Sequence, residues 1–461
     1  MPLESATSLY EKYEDSKIPK GKETVDKLIP LGYDLISGTV KYVDVTEPQN
    51  ALFFGRRGSG KSTALHAWTD NHWAKGYVNE IFHDLHGEFD EKHKENTNYI
   101  TDIKRGAESC EISERRFMPH IDTLQPFGWK KDHIRKFTPE FIKGASGKKI
   151  SLSFTALPKE AWIDRLGYNT RDRNKRRAFE VFYDLIESLK KENPDFRVTK
   201  LFLDDFFNNP GRFLDEKITE RVPIDQIRDV ASVMETEFIE KGVVEGEYVL
   251  DLSEVFSTKD DVIFDFSKLD LSSQLRKDDA LDPRDVFVTI SVCQFFEWVK
   301  MMREEPYKDG TPYQIILEEM QRIFTGYRAR GSMRQSMALQ AIGLFVTQSR
   351  KFGVGLCVAF QSGFNSVPPE VVQNFDIVYI SDMTMAKIDR TNIMAIFKEY
   401  SREFEEFGFG SGRRFHFWVF DTKDKEHPVS LIVPYPNRSK KAKERIVKQI
   451  KLGSRFDKEE N

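Results

Sequence analysis

The run Gly55-Arg56-Arg57-Gly58-Ser59-Gly60-Lys61-Ser62 constrains this chain more than any other feature. It fits the pattern G-x-x-x-x-G-K-[ST]. The apolar stretch Ala51–Phe54 precedes it, and a stretch patterned as a helix to about Lys75 follows. Glycines permit a turn tight enough for backbone N–H groups to point inward at phosphate oxygens. Lys61 is placed to reach β- and γ-phosphates, and the Ser62 hydroxyl to ligate Mg²⁺. The following helix adds the positive end of its dipole. Gly55, Arg57, Gly58, Ser59, Gly60, Lys61, Ser62 and Thr63 form the candidate nucleotide-binding set. Such a strand–turn–helix unit belongs to a sheet of parallel strands covered by helices.

A nucleotide-hydrolysing loop of this kind needs a carboxylate near Mg²⁺ and another that orients the attacking water. Tyr313-Gln314-Ile315-Ile316-Leu317-Glu318-Glu319 is an apolar strand ending in two acids. Carboxylates at the C-terminal end of a parallel strand lie where α/β sheets bind ligands. Glu318 is assigned to the metal and Glu319 to the water.

The rest of the chain repeats this texture. Strands are expected at Gly38–Val45, Asn79–Asp84, Val262–Phe266, Val354–Phe360, Ile377–Ile380, Phe415–Phe420 and Ser430–Val433. Helices fit Asp285–Met302, Arg334–Lys351 and Met385–Phe407. Residues 105–245 differ, being charged, aromatic and mostly helical in pattern. Phe179, Phe182, Leu185, Ile186 and Leu189 repeat at helical spacing within Arg177–Lys191. The expected organisation is an N-terminal arm over 1–44 and core segments at 45–104 and 246–433. A mainly helical insertion fills 105–245, and a basic tail covers 434–461. At about 150 residues per domain, 461 residues suit two or three domains or one elaborated one. The fold class is α/β, a mainly parallel sheet covered by helices.

Four blocks, in order, resemble the HerA/FtsK-type P-loop ATPases, nearest to HerA. The first is the phosphate loop. The second is Ile81-Phe82-His83-Asp84-Leu85-His86-Gly87-Glu88-Phe89, similar to the family's strand ending in Asp-x-His/Lys-Gly-Glu-aromatic. The third, Leu317-Glu318-Glu319-Met320-Gln321, takes the place of Asp-Glu-Ala-His. The fourth is Ser349-Arg350-Lys351-Phe352-Gly353-Val354-Gly355-Leu356 with Ala359-Phe360-Gln361-Ser362. The resemblance covers roughly residues 45–104 and 255–433. It implies a RecA-like P-loop core, ATP and Mg²⁺ as cofactors, a homohexameric ring and movement of duplex DNA through its channel. Lys61 and Ser62 would bind phosphate and metal, and Glu319 would be the catalytic carboxylate. Arg350 would meet the neighbouring subunit's γ-phosphate, and Gln361 would sense that phosphate. Asp84 and Glu88 would line the site. Glu318 stands where the family has Asp, and Gln321 where it has His. HerA itself carries a β-barrel before its phosphate loop. Here 54 residues precede Gly55, so the barrel expected to help dock a NurA-type nuclease has no counterpart before the loop, and the partner, a nuclease or a virus or plasmid apparatus, stays open. A virus or plasmid apparatus is the expected setting, with DNA packaging, transfer or repair as the task.

Arg328, Arg330 and Arg334 follow the acidic strand and are candidate contacts to DNA phosphates, sequence-independent and salt-sensitive. Arg171, Arg173, Lys175, Arg176 and Arg177 crowd a helix start, where cations oppose the dipole. They are read chiefly as a solvated face. The last segment, 434–461, has nine Lys/Arg against four Asp/Glu and is read as a brace on a neighbouring subunit. His83 and His86 flank Asp84 without a nearby Cys or third His, so zinc is not expected.

Lys+Arg total 70 against 74 Asp+Glu, which excludes a wholly basic nucleic-acid coat and leaves room for a local basic channel. The three cysteines, Cys110, Cys293 and Cys357, form no Cys-x-x-Cys pair and suit the reducing cytoplasm. No run of 18 apolar residues offers a membrane span. The expected activity is an ATP-dependent DNA translocase or helicase. The alternatives are a conjugation or secretion ATPase that pumps protein or single-stranded DNA, and a low-turnover nucleotide switch.

Overall fold

The computed structural model describes residues 28–37, 39–44, 47–62, 64–65, 68–69, 78–85, 134–157, 159–166, 168, 172–250, 255, 261–269, 287–288, 290–292, 312–319, 337–361, 364, 367, 369–382, 386–412 and 416–434. Thr63, His86, Glu88, Arg328, Arg330, Arg334, residues 1–27, most of the expected helix at 285–302 and the tail beyond Pro434 lie outside the described residues.

Twelve strands form one sheet: β1 (Leu28–Asp34), β2 (Thr39–Asp44), β3 (Ala51–Phe54), β4 (Asn79–Asp84), β5 (Ile134–Pro139), β6 (Lys148–Ile150), β7 (Asp261–Asp265), β8 (Tyr313–Leu317), β9 (Val354–Phe360), β10 (Ile377–Ser381), β11 (Phe417–Asp421) and β12 (Val429–Pro434). Their order is β2-β1-β12-β11-β10-β3-β9-β8-β4-β7-β5-β6. From β10 to β6 every pairing is parallel. From β10 outward through β11, β12, β1 and β2 every pairing is antiparallel. The central strands are buried along their length, which is why they read as continuous apolar runs.

Alternate residues divide two cores between the faces. Phe53, Phe82, Ile263, Ile316, Cys357 and Tyr379 pack with Ala64, Leu65 and Trp68, which follow the phosphate loop. Leu52, Phe54, Ile81, Val262, Ile315 and Val358 face the other way, toward helices drawn largely from the insertion. Those helices are α1 (Lys159–Arg165), α2 (Arg173–Glu192), α3 (Lys200–Asn208) and α4 (Ile224–Met234). They share this face with α5 (Met337–Gln348), through Ile342, Phe345 and Val346.

Three elements differ from the sequence pattern. Leu28–Asp34, expected as part of an arm or helix, is a strand. Its register shifts between Pro30 and Gly32, and its pairing with β12 spans only Gly32–Asp34. Pro30, which has no N–H, therefore stands clear of that ladder. Within 105–245, β5 and β6 extend the core sheet beyond β7, so that segment is strand as well as helix. The expected helix 385–407 is two, α6 (Lys387–Ile396) and α7 (Ser401–Phe407). Phe397, between them, stacks on Phe420 with ring centroids 3.9 Å apart, and Phe404 meets Trp418 at 5.1 Å. Two separate aromatic anchors on β11 favour a break over one straight rod.

The insertion has its own aromatic centre. Phe154 stacks on Trp162 at 5.5 Å and meets Phe179, Phe182 and Tyr183. Phe179, Phe182 and Ile186 of α2 are buried, and Leu185 and Leu189 half-buried. Burial pushes the Tyr183 phenol up to about 12. At the basic start of α2, Asp172 accepts from the Lys175 N–H, and Arg176 Nε pairs with Glu180 at 2.9 Å. Local acids thus accompany part of that cluster.

Candidate nucleotide-binding site

β3 runs into the turn at residues 55–60, and helical residues begin at Lys61. Gly58 and Gly60 have φ of 80° and 92°, which glycine adopts without steric cost. Gly55 is required for a different reason. A Cβ there would lie 2.5 Å from Ser59 Oγ and 2.8 Å from Ser381 Cβ. The loop is thus packed against the end of the neighbouring strand β10. On the other side, the Gly55 N–H donates to the Phe360 carbonyl of β9 at 3.2 Å.

Because β3, β8, β9 and β4 are parallel, their C-terminal ends share one edge of the sheet. That topology brings together residues far apart in sequence. Lys61 Nζ stands 3.6 Å from Glu319 Oε1, with both side chains almost fully buried. Gln361, just past β9, donates from Nε2 to the same Glu319 oxygen. Glu319 is held at φ 54°. For a non-glycine residue this costs on the order of 1–2 kcal/mol. Strain of this kind persists where surrounding structure over-determines it, and here it accompanies the convergence of Lys61, Glu319 and Gln361.

Glu318 and Asp84 are each about 1% exposed. The register pairing His83 with Leu317 brings Asp84 beside Glu318. Ile316 and Phe82, two residues earlier in each strand, belong to the core beneath the phosphate-loop helix. Cys357 of that core feels Glu318 and Lys61 together, and burial pushes its thiol well above the usual range. Glu318, Asp84 and the Ser62 hydroxyl offer hard oxygen donors of the kind Mg²⁺ takes. Among the described residues no three His, Cys, Asp or Glu converge as a metal cage. Mg²⁺ is ordinarily held by one or two carboxylates plus substrate phosphates, so the donor set fits that ion. His83 is a core residue: its ring lies 5.0 Å from Phe264, and Nε2 meets Ser291 Oγ at 2.9 Å.

Arg350 lies elsewhere. It sits in the short helix Ser349–Phe352 before β9, at the opposite end of that strand from Gln361. Its Nη1 donates to Asp376 Oδ1 at 2.7 Å, and Nη2 approaches Glu47 at 3.7 Å. The side chain remains 43% exposed. It does not join Lys61 and Glu319 within one subunit.

Several residues not singled out by sequence hold this frame. Asn50 is fully buried before β3. Its N–H donates to Asp376 Oδ2, its Nδ2 to the Val346 carbonyl, and its Oδ1 accepts from Leu356 N–H. Gln314 Nε2 donates to the Gln49 carbonyl at 2.8 Å. It does so across Gly355, where a Cβ would lie 2.6 Å from that carbonyl oxygen. At the phosphate-loop edge, Asp382 accepts from Gly410 N–H, Ser411 Oγ and Trp418 Nε1, each at 2.8 Å. These bonds fix a turn in which Gly408, Gly410 and Gly412 all have positive φ. The glycine spacing at 408–412 was the only local signal for it.

No protein-family model matches the chain, and no curated protein matches it by sequence. Solved structures do. VirB4 of Thermoanaerobacter pseudethanolicus superposes with a TM-score of 0.52 at 14% identity, over 91% of this chain and 98% of that one. The bacterial conjugative coupling protein TrwBdeltaN70 overlaps at a TM-score of 0.47 and 11% identity, over 86% and 88%. The genome packaging NTPase B204 from Sulfolobus turreted icosahedral virus 2 overlaps at 0.32 and 11%, over 84% and 98%. The overlap with VirB4 is a likeness of fold, and the α/β core with a mainly parallel sheet expected from the sequence is present.

Proposed function

We propose that this chain is an ATP-hydrolysing motor that moves DNA, acting as a ring of identical subunits. The observation that carries the hydrolytic part is the meeting of Lys61, Glu319 and Gln361 beside the glycine turn. Phosphate would lie against the loop N–H groups and Lys61. Glu319 would orient the attacking water for in-line displacement. Bound Mg²⁺, on Ser62 and Glu318 with Asp84 beside them, would neutralise charge on the phosphates. Gln361 would report the γ-phosphate to β9. Arg350 cannot serve its own subunit's site from the far end of β9, and it would act on a neighbour's, so the ring is part of this reading.

DNA as cargo rests on the family resemblance of the four blocks. Arg328, Arg330 and Arg334 are its candidate contacts. A second reading keeps the ATPase and changes the cargo to protein or single-stranded DNA, as in a conjugation or secretion apparatus. The overlap with VirB4 over nearly all of both chains favours it. Among the described residues no helix is long and apolar enough to cross a membrane.

The deciding experiment is steady-state ATP hydrolysis with and without long duplex DNA. Wild type would be compared with Glu319→Gln, Arg350→Ala and a mixture of the two. Duplex DNA should stimulate the wild type, and each variant should lose about 10²–10⁴-fold in rate. The mixture should recover part of it, since one subunit can supply Arg350 to another's intact Glu319. Hydrolysis that needs Glu319 but ignores every DNA form would overturn DNA as cargo.

A further inference from the structure

Lys61 has two anionic claimants. One is the phosphate its loop is shaped to hold. The other is Glu319, 3.6 Å away, in a setting where the lysine and glutamate side chains are 5% and 7% exposed. A buried ion pair resists separation, because parting it leaves a charge without compensation. The glutamate is itself positioned from two sides. Its backbone is held at φ 54°, and Gln361 Nε2 donates to the same Oε1 that faces Lys61.

We infer that Glu319 competes with nucleotide phosphate for Lys61, and that Gln361 sets the strength of that competition. The inference rests on the nucleotide reading of the site and goes beyond it. Glu319 sets nucleotide affinity as well as turnover, and Gln361 is a positioning residue for Glu319 in addition to any role at the γ-phosphate. Binding must draw Lys61 away from Glu319, and the same displacement frees the carboxylate for water. A carboxylate that loses the Gln361 donor keeps more of its charge for Lys61, so removing that donor strengthens the hold on the lysine. Removing the carboxylate's charge abolishes the hold.

The two changes should therefore move affinity in opposite directions. The measurement is ADP binding by titration calorimetry in excess magnesium. ADP cannot be hydrolysed at its missing γ-phosphate, so trapping by slow hydrolysis plays no part. Glu319→Gln, nearly isosteric, should bind ADP about ten-fold more tightly than wild type, the scale of one charge-assisted bond. Gln361→Ala should bind it about three-fold more weakly, from loss of one neutral donor. Equal or weaker binding by Glu319→Gln overturns the competition. Weaker binding by both variants marks a merely loosened site. Tighter binding by Glu319→Gln with no change in Gln361→Ala marks plain charge removal, and either result overturns the role given to Gln361. A wild type that binds no nucleotide sinks the proposed function itself. A wild type that binds and hydrolyses ATP, with variants that fail to diverge, sinks only this inference.

Discussion

At the C-terminal end of β9, Gln361, Glu319 and Lys61 converge beside a turn of positive-φ glycines. At its N-terminal end, Arg350, Asp376, Asn50 and Gln314 form a second polar network. Seven residues of strand, about 20 Å, separate the two. Both ends are polar and largely buried, yet they differ in what their groups contact. Apart from the Arg350–Asp376 pair, the N-terminal network is tied to backbone: Asn50 to Val346 and Leu356, Gln314 to Gln49, and Asp376 to the Asn50 N–H. The C-terminal group is tied side chain to side chain, on a backbone kept in a costly conformation. Bonds to fixed backbone hold strands in register. Bonds between side chains can be exchanged for bonds to a ligand, and a site that works by exchange needs them.

That contrast is broken most directly at Asn50. Asn50→Ala would leave the Val346 carbonyl and the Leu356 N–H buried without their partner. Each such loss costs about 1–3 kcal/mol. The expected result is a loss of about 2–6 kcal/mol in denaturant unfolding, with hydrolysis per folded molecule unchanged. A fall in turnover at full stability would show that Asn50 acts on the reaction and not only on the frame. Gly355→Ala should come next, at about 1–3 kcal/mol. Its Cβ meets the backbone of Gln49 as well as the Gln314 amide, so side-chain movement alone cannot relieve the clash.

The smallest effect lies beyond both ends, where β2 joins the β11–β12 hairpin. Lys41 Nζ donates to Asp424 Oδ2 at 2.5 Å and to the His427 carbonyl at 2.9 Å. Burial pushes the Asp424 carboxyl up, but the Lys41 bond and the His427 and Glu426 N–H groups outweigh it, so it sits below the usual value of 3.8. A carboxyl depressed on folding adds stability above its ordinary pKa and loses it as pH falls through the folded value. The contribution should be present at neutral pH, begin to fall near the ordinary value and be gone once pH drops below the folded-state value. Asp424 is partly exposed, so Asp424→Asn should cost less than about 1 kcal/mol at pH 7. The difference from wild type should vanish in acid melts. A gap that persists once the folded-state carboxyl is protonated would show that the bond, and not the charge, is what counts.

Much of the nucleotide edge was legible because its signals are local. Glycine spacing marks the turn at Gly55–Ser62, and apolar runs mark β3, β4, β8 and β9 with the observed bounds. Asp84, Glu318 and Gln361 each terminate such a run, so a reader of strands arrives at them without knowing the sheet order. Asn50 and Gln314 were not legible. Their partners lie 265 to 326 residues away, and nothing in Glu47-Pro48-Gln49-Asn50 distinguishes a hub from a turn. The left-handed backbone of Glu319 was equally silent, since glutamate carries no preference for it.

The sequence by itself determined a P-loop unit in a parallel sheet, because a strand, a glycine turn and a helix interact over a few residues and leave a local pattern. Only the tertiary structure decided that β3 lies between β9 and β10, that Lys61 faces Glu319, and that Arg350 is turned toward Asp376. Strand order depends on which apolar faces pack together across hundreds of residues, and hydrophobic burial is non-directional. It sets how much surface is covered, while the choice of neighbours emerges only when the whole core is assembled.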